Sequence, residues 1–351
     1  MTTFINQSVS ADSISNDKFI FDDVDGYFVI ANVGDVSQNT ITFGNGTADL
    51  VSAAGDVSQN TITFGNGFDD SVTTTFGNVS QNTITFGDNT DGLVSAASNV
   101  SHNTITFGNG PADEVAGGLG ISHNTITFGN GDNDAVVTET DNADSSHDTI
   151  TFGNGNNDSM QIPGSVDHDT ITFGNGSNDL LLAQRSSHDL IIVGNGNNDQ
   201  IMLNFAFSGT AIGADTIITG TGSFDAVVVA AHAQADTFGF SLGTNGASFT
   251  TITGAQAGDH VAVGSGAGIV RTDPNGLGST LIQASTTATD LASYISSLGP
   301  LTNGDTYVGF NETSKETFIV TGTQSGHTGA VEIVGQAFDH NNIAGHVLTL
   351  A

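Results

Sequence analysis

The sequence predicts an all-β chain: a parallel β-solenoid of about 21 residues per coil, followed by a small β-rich C-terminal domain with one helix. Three observations predict it. One stretch of text recurs, as "VSQNTITFGNGTADLV" from Val36, "VSQNTITFGNGFDDSV" from Val57 and "VDHDTITFGNGSNDLL" from Val166. Within each copy, apolar and polar residues alternate with the period of a strand. The copies are joined by short Gly- and Asn-rich turns, in a chain with 46 Gly, four Pro and no collagen-like period.

The motif Phe falls at 43, 64, 86, 107, 128, 152 and 173, and Val193 takes the next place. A fixed period near 21 residues means that each unit buries its apolar face by stacking on its neighbour. In "NTITF", Ile41 and Phe43 face inward while Thr40 and Thr42 point outward. A second strand, "DLVSA", continues an apolar column through Val51, Val72, Val94, Val115, Val136, Met160, Leu181 and Ile201. Two strands and two turns per coil are expected, with coils about 4.8 Å apart. "KFIFDDVDGYFV" reads as a degenerate first coil and "GADTIITGTGSFDAVVVA" as a stretched last one. The expected division is an N-terminal segment over 1–20, the solenoid over 21–230 and a C-terminal β-rich assembly and secretion domain over 231–351. In the last, "TLIQASTTATDLASYISSLGP" predicts a helix near 288–298, capped by Thr287 with Asp290 and ended by Gly299–Pro300. Strands "DTYVGFN", "ETFIVTG", "AVEIVG" and "HVLTLA" follow it.

Composition narrows the function. With 37 acidic residues against four basic ones, the formal charge is −33. That excludes phosphate-neutralising contact with nucleic acid and favours cations as partners. There is no Cys, hence no disulfide or thiolate site. No apolar run approaches the ~18 residues of a membrane span, and the polar N-terminus lacks a signal-peptide core. No catalytic constellation stands out, and no enzyme is expected.

The turn after the motif Phe is "GNGTAD" at 44–49 and "GNGNND" at 153–158 and 194–199. Glycines at the first and third turn positions leave room for backbone carbonyls to converge. They are Gly44 and Gly46, Gly65 and Gly67, Gly153 and Gly155, Gly174 and Gly176, and Gly194 and Gly196. The closing residues form a column: Asp49, Asp70, Asp113, Asp134, Asp158, Asp179, Asp199 and Asp225. In the third full unit, "GDNTDGLV", Gly92 takes the Asp place. Carboxylates about 4.8 Å apart repel unless a hard cation lies between them, and Ca²⁺ is the natural candidate. The alternative is a turn ladder of Asp and Asn without metal.

These turns resemble the Ca²⁺-binding nonapeptide G-G-x-G-x-D-x-U-x of RTX (repeats-in-toxin) β-rolls. "GNGNNDSMQ" matches at its first Gly, its Asp and Met160; Asn45, Asn154, Thr47, Asn156 and Pro111 depart from the family Gly. The opposite turns, "AGDVSQN" or "QRSSHD", lack the Gly pair, so Ca²⁺ is expected along one edge. The C-terminal pattern ending in "HVLTLA" resembles domains of type I-secreted bacterial surface and S-layer proteins. The resemblance implies a secreted, Ca²⁺-binding, self-assembling structural protein of the cell surface, matrix or biofilm. Its implied partners are further copies of itself, the type I secretion machinery and cell-surface polysaccharide.

Two further columns stand out. Asn39, Asn60, Asn82, Asn103 and Asn124 give way to Asp148, Asp169 and Asp189, a candidate second carboxylate column. The residue before them changes from Gln38, Gln59 and Gln81 to His102, His123, His147, His168 and His188, which reads as turn filler, with transition-metal binding or pH sensing as the alternative. The outward Thr residues form two rows. One holds Thr40, Thr61, Thr83, Thr104, Thr125, Thr149 and Thr170, and the other Thr42, Thr63, Thr85, Thr106, Thr127, Thr151 and Thr172. They resemble the ice-binding faces of solenoid antifreeze proteins, so ice binding or adhesion is the alternative function. Thr is also a common exposed strand residue.

Overall fold

The computed structural model describes residues 2–204 and, beyond them, chiefly the strands, one helix and short connections up to Leu350. The chain is an all-β parallel solenoid with two compact units, Met1–Gly174 and Asn175–Ala351.

In the first unit one sheet is built from the "TIT" strands. Thr40–Thr42 pairs in parallel with Thr61–Thr63, and that with Thr83–Thr85, each Ile on the next Ile and each Thr on the next Thr. The facing sheet stacks Leu50–Ala53, Ser71–Thr74 and Leu93–Ala96 in the same register. Except in the last coil of this unit, where Ser159–Asp167 is one continuous strand, each coil also carries a third strand that the sequence reading did not separate. It is Val36–Ser37, Val57–Ser58 or Val79–Ser80 in successive coils. Its buried Val column turns the chain back into the core. The core is therefore columns of identical residues: Ile41, Ile62 and Ile84 are fully buried, and the rings of Phe43, Phe64, Phe86, Phe107 and Phe128 stack 4.7–4.9 Å apart.

The stack begins before the legible repeat. Lys18–Ile20 pairs with Thr40–Thr42, as the degenerate first coil requires, but Thr3–Ile5 pairs in turn with Lys18–Ile20, and Val9–Ala11 with Phe28–Ala31. Residues 3–15 are thus a coil of their own rather than a separate segment. Phe4 stacks on Phe19 at 4.9 Å in the column that Ile41 holds in the repeat, while Phe21 stacks on Phe43 and begins the motif's aromatic column.

In the second unit, parallel pairing also outlasts the repeat text. Leu190–Ile192, Thr216–Thr219, Thr237–Ser241 and His260–Gly264 follow one another in register. Val347–Leu350 then adds antiparallel to His260–Gly264. The other sheet runs from Gln200–Leu203 through Asp225–Val229 and Ser248–Thr253 to Thr328–Val334, all parallel. Glu316–Gly322 and Thr306–Asn311 continue it antiparallel. The four expected C-terminal strands are present to within two residues at either end, with Leu281–Ser285 and Phe338–Ala344 in addition. The helix is Leu291–Leu298; its expected cap at Thr287 and Asp290 and its stop at Gly299–Pro300 lie outside the described residues. Tyr294 anchors it, buried against Phe318 with ring centroids 5.3 Å apart. Among the described residues, no helix is long and apolar enough to cross a membrane.

Candidate functional site

The Gly-rich turns place the Asp column inside the protein rather than on its surface. Asp49, Asp70, Asp113, Asp134 and Asp158 are 0% exposed. The left-handed residue of each turn is the one before the Asp (Ala48, Asp69, Ala112, Asn133 and Asn157), not the Asn second in the turn. The Gly pairs serve a steric purpose. A Cβ on Gly65 would run into the carbonyl oxygen of Gly44, and one on Gly67 into that of Gly46. The later coils repeat this: a Cβ on Gly155 would strike the carbonyl of Gly131, and one on Gly196 that of Gly176. At these positions a bare Cα lets the turns stack at sheet spacing. The carbonyls at the third turn position, Gly176 among them, thus face the next coil's glycine rather than converging within their own turn.

Each Asp reaches back one coil. Its Oδ1 accepts the backbone N–H of the residue that holds the same place in the preceding turn. The distances are 2.9 Å from Asp49 N–H to Asp70, 3.0 Å from Asp113 to Asp134 and 3.0 Å from Asp134 to Asp158. In the second unit, Asp179 N–H donates to Asp199 at 3.0 Å and Asp199 N–H to Asp225 at 3.2 Å. The carboxylates therefore tie coil to coil whether or not a metal is bound, a role that sequence reasoning missed.

The other oxygen is different. Oδ2 of Asp49, Asp113, Asp134, Asp199 and Asp225 is buried and makes no hydrogen bond among the described residues. For Asp199 and Asp225 it lies beside the space a Cβ would fill at the Gly of the third turn position, 2.9 Å from it at Gly196 and 2.7 Å at Gly222; the Oδ2 of Asp70 lies 2.9 Å from the same space at Gly67. Burial, reinforced by the neighbouring carboxylates, raises the pKa values against the backbone hydrogen bonds. Asp49 and Asp134 move up to about 7, Asp113 to about 8 and Asp225 to about 7.

The third full unit shows what such an oxygen requires. With Gly92 in the Asp place, the third turn position is free to carry a side chain, and Asn89 fills it, fully buried. Asn89 Nδ2 donates to Asp70 Oδ2 at 3.0 Å, and Asp70 is raised only to about 6, the Asn89 amide counting among the influences that lower it. Replacing Asn89 by Gly strands that oxygen. The variant is expected to lose about 1–3 kcal/mol of stability in denaturant unfolding, the cost of an unsatisfied buried group. An unchanged midpoint would show that the contact is incidental.

The residues fit a hard cation in this sense: at Asp49, Asp113, Asp134, Asp199 and Asp225 a Gly-rich turn holds a buried carboxylate oxygen without a donor among the described residues. The second column fits less well, because hydrogen bonds occupy it. Asn60 Nδ2 donates to Val36 O at 2.9 Å and Asn82 Oδ1 at 3.0 Å. Where the column turns acidic, Asp148 takes Asn124 N–H at 2.6 Å and Nδ2 at 2.9 Å on Oδ1, and Ser145 Oγ at 3.1 Å on Oδ2. Asp169 accepts Asp148 N–H at 2.6 Å, and Asp189 accepts Ser186 Oγ at 3.2 Å. The column extends through Asp215, Asp236 and Asp259, which sequence reasoning missed. The signal was there: each Asp stands directly before a strand, in "DTIIT", "DTFGF" and "DHVAV".

The chain matches no known family, no curated protein and no solved structure.

On the edge opposite the Gly turns, Gln38, Gln59, Gln81, His102, His123, His147, His168 and His188 all hold left-handed backbone, with φ of 56–59°. Gln38 donates to Gln59, and Gln59 to Gln81, at 2.9 Å each. The rings of His102, His123 and His147 stack 4.8 and 4.9 Å apart within 1° of parallel. Imidazole lone pairs lie in the ring plane, so these three rings do not converge on a shared ion, whereas Asp167, His168 and His188 bring one ligand atom each within 4.8 Å of the others.

Both Thr rows are in register along the "TIT" sheet. The first runs from Thr40 to Thr170, and in the second Thr85 pairs with Thr106, Thr106 with Thr127, Thr127 with Thr151 and Thr151 with Thr172. The rows differ in exposure. Thr61, Thr83, Thr104, Thr125 and Thr149 are exposed, whereas in the second row Thr106 is exposed and Thr127, Thr151 and Thr172 are half-buried. The second row is therefore less open to solvent than an evenly outward pair of rows would be.

Proposed function

We propose that the protein is a secreted structural solenoid that binds Ca²⁺ along its Gly-turn edge and assembles with further copies in a bacterial surface layer, filament or matrix. The observation that carries this reading is the column of buried Oδ2 atoms without donors at Asp49, Asp113, Asp134, Asp199 and Asp225. A hard cation supplies positive charge to such oxygens and accepts many oxygen ligands in flexible geometry. Because the coil turns exist only in the folded chain, binding adds to folding free energy. Assembly has a place to start: among the described residues Thr3–Ile5 pairs only with Lys18–Ile20, and its other edge offers backbone groups to another strand. Export rests on the C-terminal resemblance, and normal secretion of a chain lacking residues 287–351 would remove that part.

Equilibrium dialysis tests the metal reading. A chain carrying Asp113→Asn, Asp134→Asn and Asp158→Asn is expected to bind fewer Ca²⁺ than the wild type. Asn keeps an Oδ1 to accept the inter-coil N–H, as Asn60 and Asn82 do in the second column. Equal stoichiometry in the two proteins would refute Ca²⁺ on this column.

The in-register Thr array favours a second reading, ice binding or adhesion through a hydroxyl- and methyl-bearing face. Thermal hysteresis of purified protein separates the two. The ice reading expects hysteresis that disappears when Thr83, Thr104 and Thr125 become Lys, and a wild type without hysteresis eliminates it.

A further inference from the structure

We propose that His232, Asp236 and Asp259 form a buried site for one divalent transition-metal ion, best matched by Zn²⁺. The site lies in the second unit, where the inner polar column ends, and is independent of the Ca²⁺ reading. His232 Nε2 is 2.9 Å from Asp259 Oδ1 and 3.6 Å from Asp236 Oδ2. One ligand atom from each of the three residues lies within 4.8 Å of the others. Their side chains are 2%, 0% and 1% exposed. Asp236 Oδ2 accepts no hydrogen bond among the described residues, although it is buried and aimed at the imidazole. Nothing else described in the fold uses that atom.

The remaining contacts hold the donors in place. Asp236 Oδ1 accepts Asp215 N–H at 3.0 Å. Asp259 Oδ1 accepts Asp236 N–H at 2.9 Å, and its Oδ2 accepts Gln256 N–H at 2.7 Å. Gln256 Nε2 sits 3.2 Å from His232 Nδ1. Turned over, the same amide presents Oε1 to an Nδ1 proton, the outer-shell bond that fixes a metal-ligating histidine with Nε2 free. One nitrogen and two carboxylate oxygens suit Zn²⁺ at about 2.0–2.2 Å, and the imidazole disfavours Ca²⁺, which takes oxygen ligands. Three carboxylates, Asp215, Asp236 and Asp259, stack here beside one imidazole. A dication balances charge that a single imidazolium does not.

The test uses the full chain with His102, His123, His147, His168 and His188 replaced by Gln, the residue that Gln38, Gln59 and Gln81 already place in that turn. This removes exposed imidazoles that would take up metal at the surface. After loading with Zn²⁺ and dialysis, elemental analysis is expected to find one tightly held ion per chain. Substituted Co²⁺ is expected to show the visible absorption of a low-symmetry four-coordinate site. Asp236→Asn and, separately, His232→Gln should lose the ion, and Gln256→Ala should weaken it about 10–100-fold. A parent chain that retains no Zn²⁺ overturns the proposal. So does an equal Zn²⁺ content in the parent and in whichever of the two ligand variants keeps the parent's circular dichroism.

Discussion

In the presence of a Ca²⁺ chelator, the melting temperature is expected to fall as the pH rises from about 4 to about 8, by about 10 °C or more. The sign follows from the buried carboxyls. Asp49, Asp134 and Asp225 are raised to about 7, Asp113 to about 8, and Asp70 and Asp158 to about 6. In the unfolded chain an Asp titrates near ~3.9. Between these values the folded state holds protons that the unfolded state has released, so stability declines with rising pH. The contribution is full below about pH 4 and lost above about pH 8. Asp88 works in the opposite direction, since the Asn109 N–H and amide lower it, but it is exposed and screened. The net charge of −33 at neutral pH reinforces the trend. Asp134→Asn, which cannot ionise, should flatten the curve and raise the melting temperature in chelator at neutral pH. A curve that rises toward neutral pH would mean that the column is not buried as described.

The second large effect is expected at the aromatic ladder. Phe128 lies 4.9 Å from Phe107 and 4.9 Å from Phe152, within 3° of parallel to both. It is among the largest fully buried side chains. Phe128→Ala removes a whole ring from between two others that backbone pairing holds at fixed spacing, so the gap cannot close by collapse. A loss of about 3–5 kcal/mol is expected in denaturant unfolding. Phe128→Leu should cost far less, since it restores most of the volume. Because coils are coupled mainly to nearest neighbours, the alanine variant should also broaden the transition. Equal stability of the alanine and leucine variants would refute a ladder in tight contact.

The solenoid was legible because its signal repeats. A column such as Ile41, Ile62 and Ile84 is already a period in the order of the residues. The coil at 3–15 was not legible, since its contacts use Phe4 and Val9 without the "TITF" wording, and parallel pairing does not require identical residues. The same holds for the strands from Thr237 to Gly264, where the turns lengthen and the period disappears. At the site, the sequence identified which Asp residues align and that Gly permits close approach. It did not reveal burial, because an Asp in a Gly-rich turn ordinarily faces water. Nor did it reveal that Oδ1 is committed to an inter-coil N–H while Oδ2 is left over. The exchange of Asn89 for Gly and Gly92 for Asp looked like a slipped motif. In space it is a compensated swap, in which one side chain enters as another leaves.

In the other coils a cation is expected to take the place that Asn89 fills for Asp70. Thermal melting by circular dichroism at about pH 7.5, in chelator and then in millimolar Ca²⁺, probes that directly. A cation on the column means a higher melting temperature in Ca²⁺ and disappearance of the pH dependence seen in chelator. It also means a smaller Ca²⁺ response in the chain carrying Asp113→Asn, Asp134→Asn and Asp158→Asn. Identical spectra and melting temperatures in chelator and in Ca²⁺ would contradict it, leaving the Asp column as a hydrogen-bonded turn ladder that holds protons instead of metal.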